Sequence, residues 1–152
     1  MTGHPHAPVL VNGEVIASKR VGAYRHLTLS APGVPERFRA GNFVMVAVGE
    51  RLTRLPLWIH RVRHSSAFGP TLDVVVEPAG DGRRWLAQQP VGAAISVIGP
   101  LGRPFALPKG PASCLLVGED YSAATLFPLA ERLRERGGSV TLALSTQTNP
   151  FF

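Results

Sequence analysis

The chain has 152 residues, 45% of them hydrophobic and 17% charged, which is enough to bury a core and too apolar for a disordered polymer. Sixteen Lys and Arg against ten Asp and Glu leave a net charge of +6, while one cysteine, Cys114, excludes an internal disulfide and cannot by itself hold an iron–sulfur cluster. No stretch approaches the roughly 20 apolar residues that span a bilayer. Residues 1–7 lack the charge-then-apolar pattern of a signal peptide and read as a short flexible lead, so the expected location is cytoplasmic.

In chain order, the first two-thirds read as short strands. Residues 9–19 alternate loosely, with Asn12-Gly13 as a turn signal. Residues 24–30 alternate well: Tyr24, His26, Thr28 and Ser30 face one way, Arg25, Leu27 and Leu29 the other. Ala31-Pro-Gly-Val-Pro35 breaks the pattern. Residues 43–48, 57–62, 72–77 and 94–98 are four more strands rich in Val, Ile and aromatics. Six strands at this spacing suggest a small closed barrel. A helix over 81–89 interrupts them, with Asp81 as N-cap, Trp85 and Leu86 packing beneath it, and Pro90 as its stop.

The Gly- and Pro-dense loop 99–111 marks a domain boundary, after which the period changes. Residues 113–117 form an apolar run fit for a buried parallel strand. Residues 122–136 follow with Leu126, Leu129, Ala130 and Leu133 at helical spacing and charges on the other side. Pro128 predicts an irregular start, and Gly137-Gly138 a cap. Residues 140–144 are the next strand, completing one βαβ unit. One such unit leaves sheet surface to be covered by the barrel, a partner chain or a second copy.

The histidines lack metal-ligand spacing: His60 and His64 are four apart on a strand and loop, not on a helix. Cys114 lies in a buried strand and reads as a core thiol. Ser65, Ser66 and Ser122 have no partner that would make a nucleophile. The positive charge admits a solvated surface, a basic face for a nucleotide cofactor or acidic partner, or nucleic-acid binding. Scattered arginines and 7% aromatics argue against the last.

Gly41-Asn-Phe43, the stretch Arg54-Leu-Pro-Leu-Trp-Ile-His-Arg-Val62, Gly99-Pro-Leu-Gly-Arg-Pro-Phe105 and Cys114-Leu-Leu-Val-Gly118 follow in an order that resembles the flavin and nicotinamide reductases of the ferredoxin reductase superfamily. Within it, the likeness is to electron-transfer subunits of bacterial dihydroorotate dehydrogenase, and runs from about residue 7 to residue 144. The resemblance implies a six-stranded antiparallel Greek-key, FAD-domain-like barrel over 8–108, then a truncated βαβ nucleotide-domain-like unit over 112–152.

Three cofactor segments of that family carry other residues here. Its barrel strand has an Arg that neutralises the flavin diphosphate and, three residues later, a hydroxyl that donates to flavin N5. The matching positions are Leu55 and Trp58, around Pro56 and Leu57, and Arg54 sits one residue early, on the opposite face of the strand. The second segment, Val75, Val76, Glu77, Gly80, Gly82 and Arg83, keeps the glycines of the phosphate turn, but Val76 and Glu77 replace Tyr and Arg, and Arg83 replaces Thr. In the third, only Gly118 remains of a glycine run that admits NAD, and Glu119 and Asp120 occupy the place of the phosphates.

The resemblance therefore leaves room for an FAD site, argues against an NAD site, and implies no iron–sulfur cluster in this chain. The expected partner is the catalytic dihydroorotate dehydrogenase subunit or a second copy. Three readings follow: an accessory, cofactor-degenerate partner subunit, an active FAD-binding electron-transfer module with flavin on Trp58, and a basic module for RNA or another polyanion.

Overall fold

A computed structural model describes residues 7–50 and 53–146. The expected N-terminal lead, with His4 and His6, falls outside the described residues except for Ala7. Six antiparallel strands close a barrel: β1 (Val9–Val21), β2 (Tyr24–Ser30), β3 (Phe43–Ala47), β4 (Arg54–Arg63), β5 (Thr71–Val76) and β6 (Ala94–Leu101), in the order β1-β2-β5-β4-β3-β6. The alternation of β2 is as the sequence predicts, with Leu27 and Leu29 buried between less buried neighbours. These two join Val44, Val46, Leu57, Ile59, Val74, Val76 and Val97 in one interior. Each such side chain contributes about 1.5–3 kcal/mol by leaving water.

Asn12-Gly13 is not a turn. It lies inside β1, where Asn12 pairs with Ser96 and Gly13 with Ile95. A Cβ on Gly13 would collide with the carbonyl oxygen of Ser30, so glycine here serves close backbone approach. A register shift between Val15 and Ala17 bends the long strand from β6 onto β2, as a bulge does. The Gly99-Pro100-Leu101 stretch, expected in a loop, ends β6 instead.

The helix α1 (Gly80–Ala87) follows β5 and lays Leu86 into the barrel interior. Its N-cap is Ala79, not Asp81, which lies in the first turn. Gly80 takes φ +76°, a left-handed conformation that glycine adopts without the strain a side chain would bring.

The second unit is β7 (Ser113–Glu119), a 3-10 segment Asp120–Thr125, α2 (Leu126–Glu135) and β8 (Ser139–Ser145). β7 and β8 pair in parallel, Cys114 opposite Val140 and Gly118 opposite Leu144. Leu126, Leu129 and Leu133 pack on Cys114, Leu116 and Val140, and reach Ala40 and Leu107 from the first unit. A Schellman pair closes α2: Gly138 N–H donates to the Leu133 carbonyl at 3.0 Å and Gly137 N–H to Arg134 at 2.9 Å.

β7 is parallel but not buried on both faces as the apolar run suggests. Leu115 and Val117 are 64% and 69% exposed, beside Thr141 and Ala143 in register. Leu142 and Leu144 lie on the α2 side, yet remain partly exposed because one ten-residue helix covers only part of the pair. Residue 122 does not begin an α-helix either. Pro128 has no N–H to give the carbonyl of Ala124, and its ring opposes an α-turn there, so the chain winds as 3-10 until Leu126.

Candidate functional site

Strand alternation divides the first candidate segment between two environments. Leu55 and Leu57 turn inward, Leu57 into the core and Leu55 onto its end, where its methyls approach Gly82 of α1. Arg54, Pro56 and Trp58 turn outward. Arg54 crosses the outside of β3 and donates from Nη1 to the Ser96 carbonyl at 3.2 Å and from Nη2 to Ser96 Oγ at 2.9 Å. Trp58 stands opposite Phe43 and meets its ring edge-on, centroids 5.9 Å apart. The side chain at the family's arginine position thus seals the barrel end, and the nearby cation is held elsewhere.

The second segment runs from β5 into α1. Val75 and Val76 are buried. Ala79 offers no side-chain acceptor, so the amides that open α1 have no side-chain cap. Asp81 lies within 3.9 Å of Arg84, an exposed pair of little energetic weight. Arg83 leaves the helix toward the second unit: its guanidinium lies 5.0 Å from the centroid of the Tyr121 ring, and Nη2 donates to the Tyr121 hydroxyl at 3.2 Å.

In the third segment, a Cβ on Gly118 would stand 2.7 Å from Leu126 Cδ1 and 3.0 Å from Ala123 Cβ. This glycine lets α2 close on β7, a packing duty that needs no phosphate. Glu119 precedes the 3-10 segment and its carbonyl accepts from Ser122 Oγ. Asp120 takes φ +49°, in the left-handed region that Asp tolerates better than most residues. The two acids therefore open a 3-10 turn rather than the α-helix, which begins six residues after Asp120.

The fold brings these segments together along one seam. β4 and β5 are neighbours, α1 caps them, and the Asp120–Thr125 segment lies against both strands. Two contacts across the seam were not legible in the sequence. One is Arg83 with Tyr121. The other is His60, whose Nδ1–H donates to the Ala124 carbonyl at 2.9 Å, the acceptor Pro128 leaves unused. His60 also packs edge-on against His26 and Phe127 at 5.6 and 5.1 Å. Burial, followed by the neighbouring His60, holds the His26 pKa below the ordinary histidine value.

A flavin dinucleotide meets a split environment here. The amides of Gly80–Arg83 and the Arg83 guanidinium suit a diphosphate. Beside them, against Gly82, Leu55 brings no charge, and farther along β4 Trp58 presents a bulky ring already in contact with Phe43. A groove of about 650 Å³ lies elsewhere, between Phe38, Phe105, Leu107 and Pro128, and none of the candidate residues lines it. Among the described residues no three His, Cys, Asp or Glu side chains converge as a metal site, and no helix is long and apolar enough to cross a membrane.

No family model matches the chain. It is 36% identical over 140 residues to the dihydroorotate dehydrogenase B (NAD(+)) electron transfer subunit of Bacillus caldolyticus, across 88% of this chain and 53% of that one. The Thermotoga maritima homolog of that subunit is 30% identical across 81% and 43%. The chain is a homologue of these electron-transfer subunits. It spans about half the length of the curated relatives it matches.

Solved reductases carry the same fold. An NADH-dependent reduced ferredoxin–NADP oxidoreductase superposes with TM-score 0.80 at 26% identity, over 98% of this chain and 51% of that one. Phthalate dioxygenase reductase, described as transferring electrons from pyridine nucleotides to [2Fe–2S], gives 0.73 at 20%, over 90% and 44%. The closed barrel followed by a small α/β unit is thus the reductase arrangement, and the homology extends over both.

Proposed function

We propose that this electron-transfer-subunit homologue is an accessory partner module that keeps the reductase scaffold without holding FAD in the family's pose. One observation carries the reading: Leu55, at the position of the diphosphate-binding arginine, is packed between the barrel end and Gly82, while Arg54 is tied to Ser96. On this reading residues 8–108 are a flavin-binding-like barrel and 112–152 a partial nucleotide-domain-like unit. Gly118, Glu119 and Asp120 shape the strand-to-helix junction and take no NAD, and Cys114 holds no cluster. The partner is a catalytic dihydroorotate dehydrogenase chain or a second copy, met in the cytoplasm. Support for a protein partner comes from Leu115 and Val117, large apolar side chains on one sheet face that no element among the described residues covers.

A second reading, an active FAD module, is favoured by the uncapped start of α1 beside Arg83. There the amides of residues 80–83 and Arg83 would hold the diphosphate and Trp58 would stack on the isoalloxazine, which supplies electron transfer when bound. A visible absorption spectrum separates the two. The protein purified without added cofactor, and again after incubation with FAD, is expected to stay colourless. A flavin band that survives gel filtration and is lost in Arg83→Ala establishes the second reading and overturns the first.

A further inference from the structure

On the hairpin side of α1, away from the seam, three arginines surround one small pocket of about 200 Å³. Arg20 and Arg25 stand directly opposite each other in the β1–β2 register. Like charges placed so on adjacent strands are destabilising. Arg84 joins them from α1, with Tyr24, Pro78 and Gln88 completing the wall. No carboxylate lines the pocket among the described residues, and the one ion pair these arginines make there is Arg84 with Asp81, at 3.9 Å and largely in solvent. Arg20 and Arg84 each spend Nε on a backbone carbonyl, Gly22 at 3.2 Å and Gly80 at 3.4 Å, which steadies both side chains and leaves terminal nitrogens to donate. The Arg25 guanidinium makes no hydrogen bond or ion pair among the described residues.

We propose that this pocket binds a phosphate group, as the free ion or as a small phosphate monoester. A tetrahedral dianion accepts from several guanidinium groups at once, and offsets the repulsion between Arg20 and Arg25 across the hairpin. The volume lies below the roughly 300–1,000 Å³ of sites that enclose a drug-sized ligand, which favours the phosphate over a whole dinucleotide. The site does not rest on the accessory reading, because Arg83 leaves the same helix toward Tyr121 and takes no part in it.

The test is a titration of the full chain with sodium phosphate, followed by amide NMR at ionic strength held constant with sodium chloride. Saturable shifts centred on Gly22, Ala23, Arg25 and Gln88 are expected. Arg25→Gln and, on the exposed hairpin, Arg20→Gln should each weaken binding by about tenfold, as loss of a charged hydrogen-bond donor does. Arg134→Gln, an exposed arginine outside the pocket, should leave it unchanged. A parallel titration with AMP assigns the source: tighter binding than inorganic phosphate means a phosphate monoester, equal or weaker binding the free ion. Shifts that do not saturate, that chloride reproduces, or that persist undiminished in both hairpin variants overturn the proposal.

Discussion

His60 donates from Nδ1 to the carbonyl oxygen of Ala124 at 2.9 Å, and so ties β4 of the barrel to the segment that leads into α2. In an uninterrupted α-helix that carbonyl would accept the N–H of residue 128, and Pro128 has none. The carbonyl that Pro128 cannot serve is thus met by a histidine 64 residues before Ala124, in another element. The arrangement explains both the 3-10 winding of Asp120–Thr125 and the fixed seating of the second unit on the barrel.

Replacing His60 by Phe should cost about 1–3 kcal/mol, since it leaves a part-buried carbonyl without its donor. Pro128→Ala restores an N–H at that position. The double variant should therefore lose less than the sum of the two single losses, measured by urea unfolding. Strict additivity would show that His60 acts through packing on Phe127 alone.

His26 makes stability depend on pH. Its folded pKa lies below the value near 6.5 of the unfolded chain, so the unfolded state takes the proton first. Stability should be full above about pH 6.5 and fall as the pH drops from there toward the folded pKa. Melting curves between pH 8 and pH 5 should show this decline, and His26→Gln should flatten it. An unchanged slope in that variant would place the titration on another group.

Gly118→Ala tests whether that glycine serves packing. The added methyl meets Leu126 Cδ1 at 2.7 Å and Ala123 Cβ at 3.0 Å, and overpacking of this kind costs about 1–3 kcal/mol. The loss should appear in the unfolding midpoint of protein that has never met a nucleotide. A variant as stable as the parent would remove the packing explanation and return Gly118 to the question of ligand approach.

A double-mutant cycle on Arg83→Ala and Tyr121→Phe or Tyr121→Ala measures the bridge across the seam. With Tyr121→Ala the coupling should be about 0.5–1 kcal/mol, the value of an exposed cation–π contact. Tyr121→Phe keeps the ring and removes the 3.2 Å hydrogen bond, so it should retain part of that coupling.

Much of the fold was legible because side-chain alternation is a local consequence of the pleated backbone. The strand over residues 24–30 follows directly from it, and so does the placement of Arg54 and Leu55 on opposite faces of β4. The errors have equally local sources. Asn12-Gly13 reads as a turn because its residue types favour one, yet β6 pairs with both residues and the end of β2 comes close to Gly13. Asp81 is a good N-cap by type, but the helix opens one residue before it, at Gly80, and Ala79 takes the N-cap position. The apolar run of β7 reads as doubly buried, while among the described residues α2 covers one side and nothing covers the other.

What the sequence determined by itself is the order of strands and helices, the βαβ period after residue 112, and the replacement of Arg and Ser by Leu55 and Trp58 in the motif. These depend on chain stereochemistry and residue identity, which neighbours along the chain already carry. Only the tertiary structure decided where the cations went: Arg54 to Ser96 across β3, Arg83 to Tyr121 across the seam, and Arg20, Arg25 and Arg84 around one pocket. A flexible guanidinium has many partners within reach, and barrel closure, which joins residues tens of positions apart, selects among them.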